Sequence, residues 1–245
     1  MGRVLQWVLG CAVVLGLSGT RVASGAEPYQ LATFSADVTP PLGHALMGGG
    51  IAPARKIEDP LFAHGWVLLG AGKPIVFVAI DWCEIRNDAY ERWRGVLAEA
   101  AGTTRERVMV ACLHQHDAPI ADLEAQRFLD RHKAAGSICD LAFHERAVQG
   151  VARALKEGLK SPRKVTHVGT GQAKVEKVAS NRRYITDDGQ LAFGRTSATR
   201  DPKARARPEG TVDPWLKTIS FWDGETPVLA MSCYATHPMS YYGKG

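Results

Sequence analysis

The sequence predicts an α/β protein: a mixed, mostly parallel β-sheet flanked by helices, with a metal site at the C-terminal ends of its strands. Three observations predict it. Short apolar runs alternate with longer stretches of helical period. One run, Ile75-Val76-Phe77-Val78-Ala79-Ile80, is continuously apolar, as a strand buried on both faces requires. Polar, metal-competent side chains then recur directly after such runs, namely Asp37, Asp81, His114 with His116, and His237.

In chain order, residues 31–38 read as a strand, closed by Thr39-Pro40-Pro41-Leu42-Gly43, because two prolines cannot extend a ladder. Met47-Gly48-Gly49-Gly50 is a turn whose bare backbone can approach a ligand closely, or equally a plain mobile loop. Residues 63–69 and 74–80 form a hairpin about Gly70-Ala71-Gly72. Residues 86–101 predict a helix: Ile85, Ala89, Trp93, Val96, Leu97 and Ala100 mark one face. Asp88 with Glu91 resembles a capping box, and Gly102 suits the stop. Residues 108–114 predict the next strand, and strand–helix–strand implies a right-handed crossover and a parallel pair. Residues 121–138 are polar without clear period and are expected to form a substrate-facing loop. A second helix covers residues 141–159 and ends at Ser161-Pro162. Residues 165–178 alternate as a strand, and residues 184–193 turn at Asp187-Asp188-Gly189. Residues 215–222 and 227–234 flank Asp223-Gly224, and the last run leads to Ala235-Thr236-His237-Pro238.

The 245 residues, 45% hydrophobic and 22% charged, suit a folded globular domain. Residues 1–26 stand apart. Arg3 precedes an apolar run at 4–17, too short for a membrane span but right for a secretory leader, and small residues follow. We expect a signal peptide cleaved near Gly25 or Ala26, leaving residues 27–245 as a secreted or periplasmic domain. Cys11 lies inside the run, which continues past it, against lipidation. Nothing fixes a pairing of Cys83, Cys112, Cys139 and Cys233; Cys112 and Cys233, in apolar runs, read as buried thiols. The net charge of +5 is too dispersed to argue nucleic acid. Lys203, Arg205 and Arg207 form the densest cluster and read as a solvated loop, with peripheral contact to an anionic membrane surface or substrate as the minor alternative.

Asp37, Asp81, His114 with His116, and His237 all close predicted strands, and parallel strands would gather them on one rim, where open α/β sheets bind ligands. His114 and His116, two apart on an extended chain, would point to the same side. Two or three imidazoles with carboxylate oxygen suit zinc with an open position for water, whose pKa such a site lowers to about 7. Asp37 or Asp81 could orient a ligating imidazole, although a strand-end cap is the better account of Asp37. His44, His64, His132, His144 and His167 lack such a setting and read as surface or structural histidines.

From about Leu31 onward the chain resembles the N-terminal catalytic domain of the neutral/alkaline, non-lysosomal ceramidases. The resemblance is carried by Ala36-Asp37-Val38-Thr39-Pro40-Pro41-Leu42-Gly43, Asp59-Pro60-Leu61-Phe62-Ala63, Leu113-His114-Gln115-His116, Asn181-Arg182-Arg183, Gly210-Thr211-Val212-Asp213-Pro214 and Ala235-Thr236-His237-Pro238. It implies a zinc amidase that hydrolyses the N-acyl bond of ceramide, with a small-molecule or lipid substrate. It implies His114 and His237 as metal ligands, His116 beside the reacting carbonyl as acid/base or oxyanion partner, and Gly48 and Arg182 lining the site. The family's usual His-Thr-His-Ser-Gly-Pro is here His114-Gln115-His116-Asp117-Ala118-Pro119, so Asp117 adds a carboxylate that bears on pocket polarity. The family's glutamate and tyrosine ligands and its serine would fall beyond Gly245, so the chain is expected to be an incomplete domain, inactive alone. Two other readings stay open: a metal hydrolase of this fold acting on another amide or an ester, and an exported domain that lost the chemistry.

Overall fold

The computed structural model describes residues 28–134, 136–196, 199–237 and 243; the expected signal peptide lies outside them. Strands β1 (Gln30–Asp37), β2 (Phe62–Gly70) and β3 (Gly72–Ile80) are followed by β4 (Glu84–Ile85) and helix α1 (Asn87–Ala101). Strands β5 (Val108–Cys112) and β6 (Ile120–Ala121) lead to α2 (Leu123–Arg131) and α3 (Leu141–Gly158). Then come β7 (Arg163–Lys164), β8 (His167–Lys174), β9 (Tyr184–Ile185), β10 (Leu191–Ala192), α4 (Pro202–Ala206), β11 (Trp215–Asp223) and β12 (Thr226–Cys233).

The main sheet has the order β5-β3-β2-β1-β7, and its pairing corrects the expectation of a mostly parallel sheet. β1–β2, β2–β3 and β1–β7 are antiparallel, and only β3–β5 is parallel. The physical reason is the connections. A tight turn at Ala71 joins β2 to β3 and can only reverse the chain, whereas β3 reaches β5 through α1, as a parallel pair demands. The shared rim survives the correction. β1 and β3 are each antiparallel to β2, so they run the same way as β5, and Asp37, Asp81 and His114 still emerge at one edge.

Both faces of the central strands are covered, which explains the uninterrupted apolar run. Ala32, Phe34, Val76, Val78 and Ile80 face Trp93 and Leu97 of α1 and Val148, Val151 and Leu155 of α3. On the opposite face, Leu31, Val165 and Phe221 gather with Trp66, Leu68 and Leu229, seating the three-stranded sheet β12-β11-β8.

Helix α1 ends as expected, on a left-handed Gly102 (φ 65) whose N–H returns to the last turn, a conformation that favours glycine. Its start differs. Arg86 occupies the N-cap without a side-chain bond, and Asp88 instead accepts from Glu124 N (3.2 Å) and Arg127 Nη1 (2.7 Å), tying α1 to α2. Helix α2 itself stands where a loop was expected. Asp122 caps it through Ala125 N (3.1 Å), and its inward position is polar: buried Gln126 accepts from Ile138 N (2.7 Å) and Cys139 N (3.2 Å). Cys233 is exposed rather than buried, and all four described cysteines are free thiols. No helix among the described residues is long and apolar enough to cross a membrane.

His144, only 2% exposed, is packed against Trp82 and Trp93, and its Nε2 meets no hydrogen-bond partner among the described residues. Burial pushes its pKa down from 6.5 to about 4. Between these values the unfolded chain binds the proton more tightly, so stability is complete above pH 6.5 and falls as pH drops toward 4. The loss is on the order of 3 kcal/mol at about 1.4 kcal/mol per unit. Chemical denaturation across this range should show that slope, and His144→Leu should flatten it. An unchanged slope in the variant would rule out His144 as its source.

Candidate metal centre

Three imidazoles supplied by two sheets meet at one point. His114 follows β5, but on a left-handed backbone (φ 62) rather than an extended one. Strand alternation is therefore not what aligns it with His116. The strand stops at Cys112, Leu113 N donates to Ile80 O (3.0 Å), and His114 N donates to Trp82 O (3.1 Å). A left-handed non-glycine residue costs about 1–2 kcal/mol, and such strain tends to collect at functional sites. The rest of the loop is tied down by Met47 N to Ala118 O and Cys83 N to Pro119 O, each 2.9 Å.

His116 is 6% exposed and stands edge-on to His114, ring centroids 5.1 Å apart. His237, reached from β12, lies 4.7 Å from His116 and 5.0 Å from His114 between centroids. One ring nitrogen of each lies within 4.8 Å of the others, and the Nε2 atoms of His116 and His237 are 2.9 Å apart. Tetrahedral zinc, with Zn–N of about 2.0–2.1 Å, sets its nitrogens about 3.4 Å apart, so the spacing fits a metal with small side-chain adjustments. The donor chemistry fits as well, because a ligating imidazole must be neutral. Desolvation within the cluster holds buried His116, and His237 at its exposed edge, below the ordinary histidine range, helped by Arg182 and the neighbouring imidazoles.

The hydrogen bonds assign the protons. A guanidinium only donates, so Arg182 Nη2 makes His237 Nδ1 an acceptor. Neutral His237 then carries its proton on Nε2 and donates it to His116 Nε2. Arg182 and a metal at His237 Nε2 therefore favour opposite tautomers of one ring. On the other side, His114 Nδ1 is 3.2 Å from Cys83 O, which leaves Nε2 as its free lone pair. Cys83 Sγ (3.6 Å) and Glu84 Oε1 (3.8 Å) also lie near that Nδ1. Burial pushes the Cys83 thiol up to about 11 and the Cys112 thiol to about 12, so both stay protonated at neutral pH and ligate poorly.

The other residues singled out from sequence make contacts of their own. Asp37 accepts from Thr39 N (2.8 Å), the strand-end cap, and Asp81 Oδ2 accepts from Phe62 N (2.8 Å), joining the ends of β2 and β3. Glu84, three residues later, is the carboxylate that comes nearest His114, and it pairs with Arg86. Asp117 Oδ1 accepts from Gly243 N (2.6 Å). Gly48 is left-handed (φ 62), and a Cβ there would meet Ile120 and Ile138 at 3.6 Å, so it supports the floor beneath the histidine loop. Lys203 and Arg205 fall in α4, and Arg207 pairs with Asp187 (2.7 Å).

The chain matches no family model and no curated protein. Among solved structures it is similar to neutral ceramidase from Pseudomonas aeruginosa, with a TM-score of 0.56 and 17% identity over 86% of this chain and 32% of that one. It is also similar to a ceramidase complexed with C2, at a TM-score of 0.59 and 18% identity over 86% and 31%. The chain thus spans about a third of the length of these proteins, and what it shares with that third is the fold.

Proposed function

We propose that the chain forms the histidine side of a zinc-dependent amidohydrolase site, in an exported domain that hydrolyses the N-acyl bond of a ceramide-like lipid. The observation that carries this is the convergence of His114, His116 and His237, whose ligand atoms lie within 4.8 Å of one another. Its support is the fold shared with ceramidases. His114 and His237 are the assigned ligands. Zinc held there supplies Lewis-acid polarisation of an amide carbonyl and a water whose pKa is lowered to about 7.

The remaining side chains have definable tasks. His116, buried and neutral, can take and hold a proton at Nε2 beside the reacting amide. Arg182, permanently charged and held beside His237, can turn from Nδ1, which a metal at Nε2 would leave protonated, and offer its cation to a developing oxyanion. Asp117 adds a carboxylate charge close to His116, which bears on the polarity of the leaving group accepted.

The test strips the intact protein that carries this domain with chelator, refills it with zinc, and assays a ceramide, an N-acyl amino acid and a simple ester. Zinc-dependent cleavage of ceramide in preference to the others is expected. Preference for another amide or the ester moves the assignment to a different substrate of the same fold, and no zinc-dependent cleavage rejects the amidase reading.

A further inference from the structure

We infer that Arg195 is a positioning residue, which locks the segment carrying Arg182 so that Arg182 stays on His237. The proposal rests on the Arg182–His237 contact and takes its functional meaning from the zinc-site reading above.

Arg195 is 7% exposed and enters no ion pair among the described residues. A buried cation without a counter-charge is costly unless every donor is met. Here each of its five N–H groups has a carbonyl. Nε (3.0 Å) and Nη2 (2.8 Å) both donate to Asn181 O. Nη1 donates to Arg207 O and Pro208 O, each 2.7 Å, and Nη2 also donates to Glu209 O (3.2 Å). The guanidinium thereby draws together the start and the end of residues 181–209.

The residue it grips hardest is Asn181, which directly precedes Arg182. Asn181 N donates to Glu209 O (2.7 Å), Asn181 Oδ1 accepts from Arg183 N (3.0 Å), and left-handed Gly210 approaches so closely that a Cβ there would stand 3.0 Å from Asn181 Cβ. The backbone at Asn181 is thus fixed through its carbonyl, amide and side chain. Arg182 leaves this fixed point and reaches His237 Nδ1. Lysine cannot replace the clamp, since one ammonium cannot span four separated carbonyls.

The experiment records ring-nitrogen NMR of His237 in the metal-free protein, in Arg182→Met, in Arg195→Met and in the double variant. His237 should be the Nε2–H tautomer in the parent, and Arg195→Met should move its resonances to those of Arg182→Met. The double variant should coincide with Arg182→Met alone, while the Trp82 and Trp93 indole signals stay in place. Parent-like His237 resonances in Arg195→Met, or shifts that add in the double variant, overturn the proposal. Should Arg195→Met disturb the indoles, Arg195→Lys is judged on the same criteria. Zinc titration of the parent separates the two ideas: failure to bind rejects the metal reading and leaves the NMR result standing.

Discussion

Alanine at His114, or separately at His237, is expected to weaken zinc binding by more than about 100-fold, beyond the 10–100-fold typical of losing an outer-shell partner. Each substitution removes one of three nitrogens grouped within 4.8 Å, and the described carboxylate nearest them, Glu84, is already paired with Arg86. Competition against a chromophoric chelator on metal-stripped protein measures the loss. Exposed His167 supplies the control, because its ring engages Thr166 at the edge of the second sheet. Asp37→Asn and Asp81→Asn should leave zinc affinity close to the parent value, since both carboxylates are committed to backbone amides. Parent-like zinc affinity in both histidine variants would refute the ligand assignment.

Trp82→Ala is expected to cost about 3–5 kcal/mol, the range for removing a fully buried large aromatic. Trp82 is 1% exposed and packs edge-on to Trp93 with centroids 5.6 Å apart, with Phe143 at 5.7 Å. Its indole N–H donates to Val38 O (2.9 Å), so alanine also strands a buried carbonyl. Set against the 5–15 kcal/mol of a typical domain, that loss is severe. Urea denaturation should show it, and Trp82→Phe should recover most of the packing while leaving Val38 O unsatisfied. A loss below about 1 kcal/mol in Trp82→Ala would contradict this account of the core.

The elements that periodicity can mark were legible in the sequence. The runs that became β1, β2, β3, β5, β11 and β12, and the apolar stripes of α1 and α3, follow from side chains alone. Strand direction was not legible, because alternation names an element without saying which way its neighbour runs; connection length decides that, as the short turn before β3 shows. Helix α2 escaped notice because it buries only Leu123 and Gln126, and the second is a polar residue that serves the backbone of Ile138 and Cys139.

At the site, the histidines were legible as residues but not as geometry. Nothing in Leu113-His114-Gln115 announces a left-handed His114, since the usual glycine or asparagine signal is missing. Glu84 approaches His114 only through the register that sets Ile80 beside Cys112. Arg195 had no local mark at all among 30 lysines and arginines, because its partners are carbonyls brought from distant positions.

His116 and His237 touch across 121 residues of sequence, one on the main sheet's rim and the other beyond β12. Closing so long a loop is rewarded only once the two sheets have docked through Phe221, Leu229 and Trp66. Metal occupancy would therefore gauge tertiary assembly. A metal present at 100 times its dissociation constant would add about 2.7 kcal/mol to the docked state, and a lesion in the distant sheet–sheet seam would be felt first as a weaker affinity for the ion.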